Sequence, residues 1–65
     1  MNVIVNGSPQ ELCATTLAQA LDELGYGAAT VASAVNGRFV RAVSRDITAL
    51  ADGDAIEIVA PMQGG

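Results

Sequence analysis

An α+β domain is predicted for this chain, with one amphipathic helix laid against one face of a mixed sheet of four to five strands. Three features carry that expectation. β-prone runs flank two Asn-Gly dipeptides, a stretch between them has helical periodicity, and a strand alternating Ile with Glu comes last. With 65 residues there is room for one domain, and a domain of this size buries only about 60% of the surface its unfolded chain exposes. Apolar residues make up 51% of the chain, yet Tyr26 and Phe39 are the only aromatics, so the core must be built from Val, Ile, Leu and Ala.

Residues Asn2 to Asn6 form the first predicted strand. Asn6-Gly7 suits the positive φ angles of a two-residue hairpin turn, and Pro9 to Cys13 returns as the second strand, with Leu12 inward and Gln10 or Glu11 toward water. Thr16-Leu17-Ala18-Gln19 then matches a capping box, which starts a helix. Leu17, Ala20, Leu21 and Leu24 fall at the i, i+3, i+4, i+7 spacing of one apolar stripe, while Gln19, Asp22 and Glu23 lie off it. Gly25 ends the helix through a left-handed cap.

Val31 to Asn36 is the third predicted strand, and Asn36-Gly37 repeats the hairpin signal before Arg38 to Arg41 returns as the fourth. From Ala42 to Leu50 the pattern is irregular, with one helical turn expected near Ser44 to Ile47. Asp52-Gly53-Asp54 reads as turn chemistry alone. Ala55 to Ala60 is the last strand, with Ile56 and Ile58 on one face and Glu57 on the other, and Pro61 ends it. The Val and Ile content of the first and last strands predicts that they are neighbours at the centre of the sheet, where both faces are better covered.

Seven acidic residues against three arginines (Arg38, Arg41, Arg45) give a net charge of −4. Phosphate backbones and anionic lipid surfaces select basic proteins, so neither a nucleic acid nor a membrane is the expected partner. A basic protein surface is the better fit. The N-terminal residues carry no signal-peptide pattern and no apolar run spans a membrane, so a cytoplasmic location is expected. Cys13 is the only cysteine and histidine is absent. This chain therefore holds no internal disulfide, no thiolate cluster for zinc or iron–sulfur, and no Ser-His or Cys-His nucleophilic pair. Cys13 itself is expected to be a small buried apolar residue, and the arginines to be solvated.

The chemistry is expected beyond the last strand. A domain of residues 1–60 is followed by a flexible tail of residues 61–65, Pro61-Met62-Gln63-Gly64-Gly65. Fully extended, five residues reach roughly 17 Å. Gly64 and Gly65 lack Cβ atoms, so they can thread a narrow channel and present a bare carboxylate to a partner's active site. Phe39, Val59 and Met62 are the candidate partner contacts, being apolar anchors of the kind that dominate interfaces.

Val3-Ile4-Val5-Asn6-Gly7, Val35-Asn36-Gly37, Leu50 to Val59 with its Asp-Gly-Asp turn, and Gln63-Gly64-Gly65 together resemble the thiamine-biosynthesis sulfur carriers of the ThiS family. The resemblance implies a ubiquitin-like β-grasp fold that is not itself an enzyme and binds no cofactor. It implies that an E1-like adenylyltransferase of the ThiF kind, using ATP and Mg²⁺, activates the Gly65 carboxylate. A persulfide donor would then convert it to a thiocarboxylate, and a thiazole synthase of the ThiG kind would consume that sulfur. The free carrier is expected to be a monomer. A molybdopterin synthase small subunit shares the fold and the di-glycine end. A ubiquitin-like modifier is the alternative of a different class; the absence of lysine restricts self-conjugation to the N-terminus. A β-grasp module that only binds RNA or protein would not need the terminal glycine.

Overall fold

The computed structural model describes residues 1–27 and 29–60. Five strands, β1 (Asn2–Val5), β2 (Ser8–Glu11), β3 (Ala32–Val35), β4 (Arg38–Val40) and β5 (Ala55–Val59), form one sheet in the order β2-β1-β5-β3-β4. One helix, α1 (Leu17–Glu23), and one 3-10 helix (Ala42–Ile47) complete the described elements. β1 runs parallel to β5, whereas the β1–β2, β3–β4 and β3–β5 pairs are antiparallel. This is the mixed sheet of the ubiquitin-like β-grasp.

Both hairpins close through the two-residue turns that the sequence predicts. Asn6 and Gly7 have φ of 49° and 84°, and Asn36 and Gly37 have φ of 52° and 82°, so each turn carries the two left-handed residues that match strand twist. Asparagine is among the few side-chain-bearing residues that enter this region readily. The β2 strand is shorter than predicted and starts earlier, yet its pairing outlasts it: the Met1 ammonium donates to the Leu12 carbonyl at 2.7 Å and the Leu12 N–H to the Met1 carbonyl at 2.8 Å. Leu12 is buried as expected.

Helix α1 starts where local chemistry says it should. Thr16 is the N-cap, and its hydroxyl accepts the Gln19 N–H at 3.2 Å. The reciprocal half of the box is displaced by one residue, because Gln19 Oε1 accepts the N–H of Thr15 at 2.9 Å and its hydroxyl at 3.0 Å. At the other end the Gly25 N–H donates to the Asp22 carbonyl and the Tyr26 N–H to the Leu21 carbonyl, the paired bonds of a Schellman cap, with Gly25 at φ 94°.

Leu17, Ala20 and Leu21 of α1 join Val3, Val5, Leu12, Ala14, Val31, Leu50, Ile56 and Ile58 in the core. Leu17 and Ile56 are completely buried, and deep aliphatic packing of this kind contributes about 1.5–3 kcal/mol per side chain. β1 and β5 are adjacent, as expected, but they are not covered on both faces. Burial alternates along each strand, leaving Ile4, Glu57 and Val59 exposed, because a single short helix shields only one side of the sheet.

Two further expectations are corrected. Cys13 is exposed: the chain leaves the sheet at that point, and the Glu23 carboxylate accepts the backbone N–H groups of Cys13 and Ala14 at 3.0 Å, leaving the thiol outside these contacts. Arg45 is half-buried rather than solvated: its Nε donates to Ser33 Oγ at 3.0 Å and its Nη2 to the Val31 carbonyl at 2.6 Å. The predicted single turn is a six-residue 3-10 helix, and Arg45 ties it to Ser33 of β3.

Candidate functional site

The site is organised by β5, the central strand, because the di-glycine residues follow it in sequence. Its side chains alternate, so Ile56 and Ile58 anchor the strand in the core while Glu57 and Val59 stand on the open face. Register then determines their neighbours. Ala34 pairs with Glu57 on one side and Phe39 on the other, and Ala32 pairs with Val59. Two alanines thus lie between larger side chains, leaving a shallow hollow of about 170 Å³ lined by Ala32, Ser33, Ala34, Phe39, Glu57 and Val59.

Phe39 and Val59, separated by twenty positions in sequence, therefore meet on one apolar surface, at 68% and 63% exposure. Ile4 adds a further exposed apolar side chain on the same face. A hollow rimmed by an aromatic ring and aliphatic groups, with one carboxylate beside it, has the character of a docking surface more than of a reactive centre. Met62, Gln63, Gly64 and Gly65, the other sequence-predicted site residues, lie outside the described residues.

Both ends of β5 are pinned by the asparagines of the two hairpin turns. At the start, the Ala55 N–H donates to Asn36 Oδ1 at 2.9 Å, and the Asn36 N–H to the Ala55 carbonyl at 2.7 Å. Near the far end, Asn6 Oδ1 accepts the Ile58 N–H at 2.8 Å while Asn6 Nδ2 donates to the Ile58 carbonyl at 3.1 Å. Sequence reasoning assigned these asparagines to turn geometry only. Their recurrence at both turns, where Gly or Asp would also satisfy the backbone, is the one trace of this second role that the sequence carries.

The Asp52-Gly53-Asp54 segment likewise does more than turn. Asp52 Oδ1 accepts the Asn2 N–H at 2.8 Å, and Asp54 Oδ2 accepts the Ala51 N–H at 2.8 Å, so both carboxylates tie the entry to β5 to its surroundings. The Asp54 carboxyl is held below the usual aspartate range, first by the Asn36 amide and then by the Ala51 N–H, with partial burial opposing weakly. Among the described residues no three His, Cys, Asp or Glu side chains gather as a metal cage, and no helix is long and apolar enough to cross a membrane.

The sequence profile of the ThiS family matches residues 3–65. The chain is 38% identical over 63 residues to the sulfur carrier protein ThiS of Thermus thermophilus, covering 97% of this chain and 98% of that protein. Its fold is similar to the crystal structure of the thiamine biosynthesis protein ThiS from Geobacter metallireducens, with a TM-score of 0.84, 32% identity and all of both chains covered. The solution structure of a thiamine biosynthesis protein from the same organism superposes with a TM-score of 0.80 at 30% identity, over all of this chain and 88% of that one.

Proposed function

Because the chain belongs to the ThiS family, we propose that it is a sulfur carrier of thiamine biosynthesis whose loading point is the carboxylate of Gly65. The observation that supports this reading is the family match over residues 3–65, a span that includes Gly64 and Gly65. The two solved structures are named for thiamine biosynthesis, which favours a thiazole synthase over molybdopterin synthase as the consumer of the sulfur.

A carboxylate with a reference pKa of about 3.3–3.7 is ionised at neutral pH and resists nucleophiles, so it must be activated. An E1-like adenylyltransferase joins it to the α-phosphate of ATP and releases pyrophosphate, with Mg²⁺ and the enzyme's cations stabilising the transferring phosphate. The terminal sulfur of a persulfide then attacks the acyl carbon and AMP departs, leaving an acyl disulfide. A second thiol cleaves the S–S bond, is oxidised to a disulfide, and frees the thiocarboxylate. The carrier is a co-substrate in this cycle, not a catalyst. Gln63, Gly64 and Gly65 enter the partner's active site, while Phe39, Val59 and Met62 contact the partner's surface.

Incubation with ATP, Mg²⁺, an E1-like enzyme and a persulfide donor, followed by reduction, is expected to raise the intact mass by the replacement of one oxygen with sulfur. Deleting Gly65 is expected to abolish that shift while circular dichroism stays unchanged. Absence of the shift with cognate activating enzymes would overturn the carrier reading.

A further inference from the structure

The main-chain ladder between β1 and β5 stops at the Val5–Ile56 pair, because Asn6 and Gly7 turn the chain away. The Asn6 N–H still reaches the Ile56 carbonyl at 2.9 Å, but among the described residues β5 has no main-chain neighbour beyond it on that side. The Asn6 side chain fills the gap. Its amide has the same donor and acceptor as a peptide group, and it engages the N–H and the carbonyl of Ile58 together. A backbone edge left unpaired at this point would fray or recruit another strand.

The two asparagine clamps act at opposite ends of one strand. Asn36 holds Ala55, where β5 begins, and Asn6 holds Ile58, one residue before β5 ends at Val59 and seven before Gly65. We propose that Asn6 is a positioning residue for loading of the Gly65 carboxylate, acting by fixing Ile58 and with it the end of β5. The proposal rests on the carrier reading above. Holding Ile58 also holds Val59 beside the hollow, so the docking surface and the reactive end share one anchor. Small displacements of a reacting group lower the rate even where docking is intact.

The test compares Asn6→Gly with Asn36→Gly. Glycine accepts the positive φ at both turns, so each variant removes a clamp while keeping the hairpin. For Asn6→Gly, amide exchange at Ile58 and Val59 is expected to quicken about tenfold, and kcat for ATP-dependent loading by the E1-like enzyme to fall about tenfold with KM for the carrier nearly unchanged, the scale of one to two net hydrogen bonds. Both glycine variants are expected to lower the urea midpoint by similar amounts, but Asn36→Gly is expected to leave kcat near wild type. Asn6→Asp, which keeps the acceptor for the Ile58 N–H and the tolerance of positive φ, serves as a second, milder variant with an intermediate kcat. Equal losses in kcat for Asn6→Gly and Asn36→Gly, or none in either Asn6 variant, would overturn the role of Asn6 while a loaded wild type preserves the carrier reading. A wild-type chain that takes up no sulfur overturns both.

Discussion

The Asn36 amide donates to Asp54 Oδ1 at 3.0 Å while its own carbonyl oxygen accepts the N–H of Ala55, so one turn residue of the β3–β4 hairpin also closes the turn that leads into β5. Asp54 completes the knot by accepting the Ala51 N–H. Because these bonds favour the ionised carboxyl, its pKa is lower in the folded chain than in the unfolded one.

That difference predicts a pH dependence of stability. A depressed carboxyl contributes stability that is fully present above the unfolded value of about 3.9 and is lost as pH falls through the folded value. Asp54→Asn should therefore melt below wild type at neutral pH, and the gap between the two melting temperatures should narrow as pH is lowered from 7 to 3. Thermal scans across that range check it; a constant gap would mean that ionisation of Asp54 is irrelevant.

Arg45 joins the 3-10 helix to Ser33 of β3 and to the carbonyl of Val31 just before that strand. Ser33 is the buried polar residue of the sheet, and its hydroxyl is satisfied by accepting from Arg45 and donating to the Val40 carbonyl at 3.2 Å. Arg45→Met keeps the aliphatic stem but strands the Val31 carbonyl, with an expected loss of about 1–3 kcal/mol in urea unfolding. Arg45→Lys should recover part of it, since an ammonium lacks the planar fork that reaches two acceptors. Total stability of roughly 3–10 kcal/mol, from about 0.05–0.15 per residue, makes either loss easy to measure.

Gly25 sits at φ 94° with open space where a Cβ would project. Gly25→Ala should therefore cost only the backbone penalty, about 1–2 kcal/mol, with no clash to add to it. In a domain this small, each 1 kcal/mol lowers the melting temperature by about 4–8 °C. Gly25→Asn is expected to fall between the two.

The exposed Cys13 thiol should react with a disulfide reagent in the native protein, one equivalent per chain without denaturant. A requirement for urea would place the thiol inside. Blocking it with a small maleimide is expected to leave the circular dichroism unaltered, since the contacts at this position are made by the Cys13 backbone to Glu23.

Much of the fold was legible because its signals are local. The Asn-Gly turns, the Thr16 cap, the Gly25 stop and the i, i+3, i+4, i+7 stripe each depend on residues within one turn or hairpin, and each formed where the sequence placed it. Expectations failed where a partner lay far along the chain. Cys13 faces solvent while Glu23 of the helix binds its backbone, Arg45 is held by β3, and the open face of β1 and β5 follows from having one helix to cover two sides.

The sequence by itself determined the elements, their order, the aliphatic core and the family, since periodicity, turn chemistry and motif spacing are properties of neighbouring residues. Only the tertiary structure decided that Phe39 and Val59 share a hollow floored by alanines, and that Asn6 and Asn36 hold the two ends of β5. Those facts depend on strand order and register: β5 lies between β1 and β3, and a shift of one residue would turn every side chain of that strand to the opposite face.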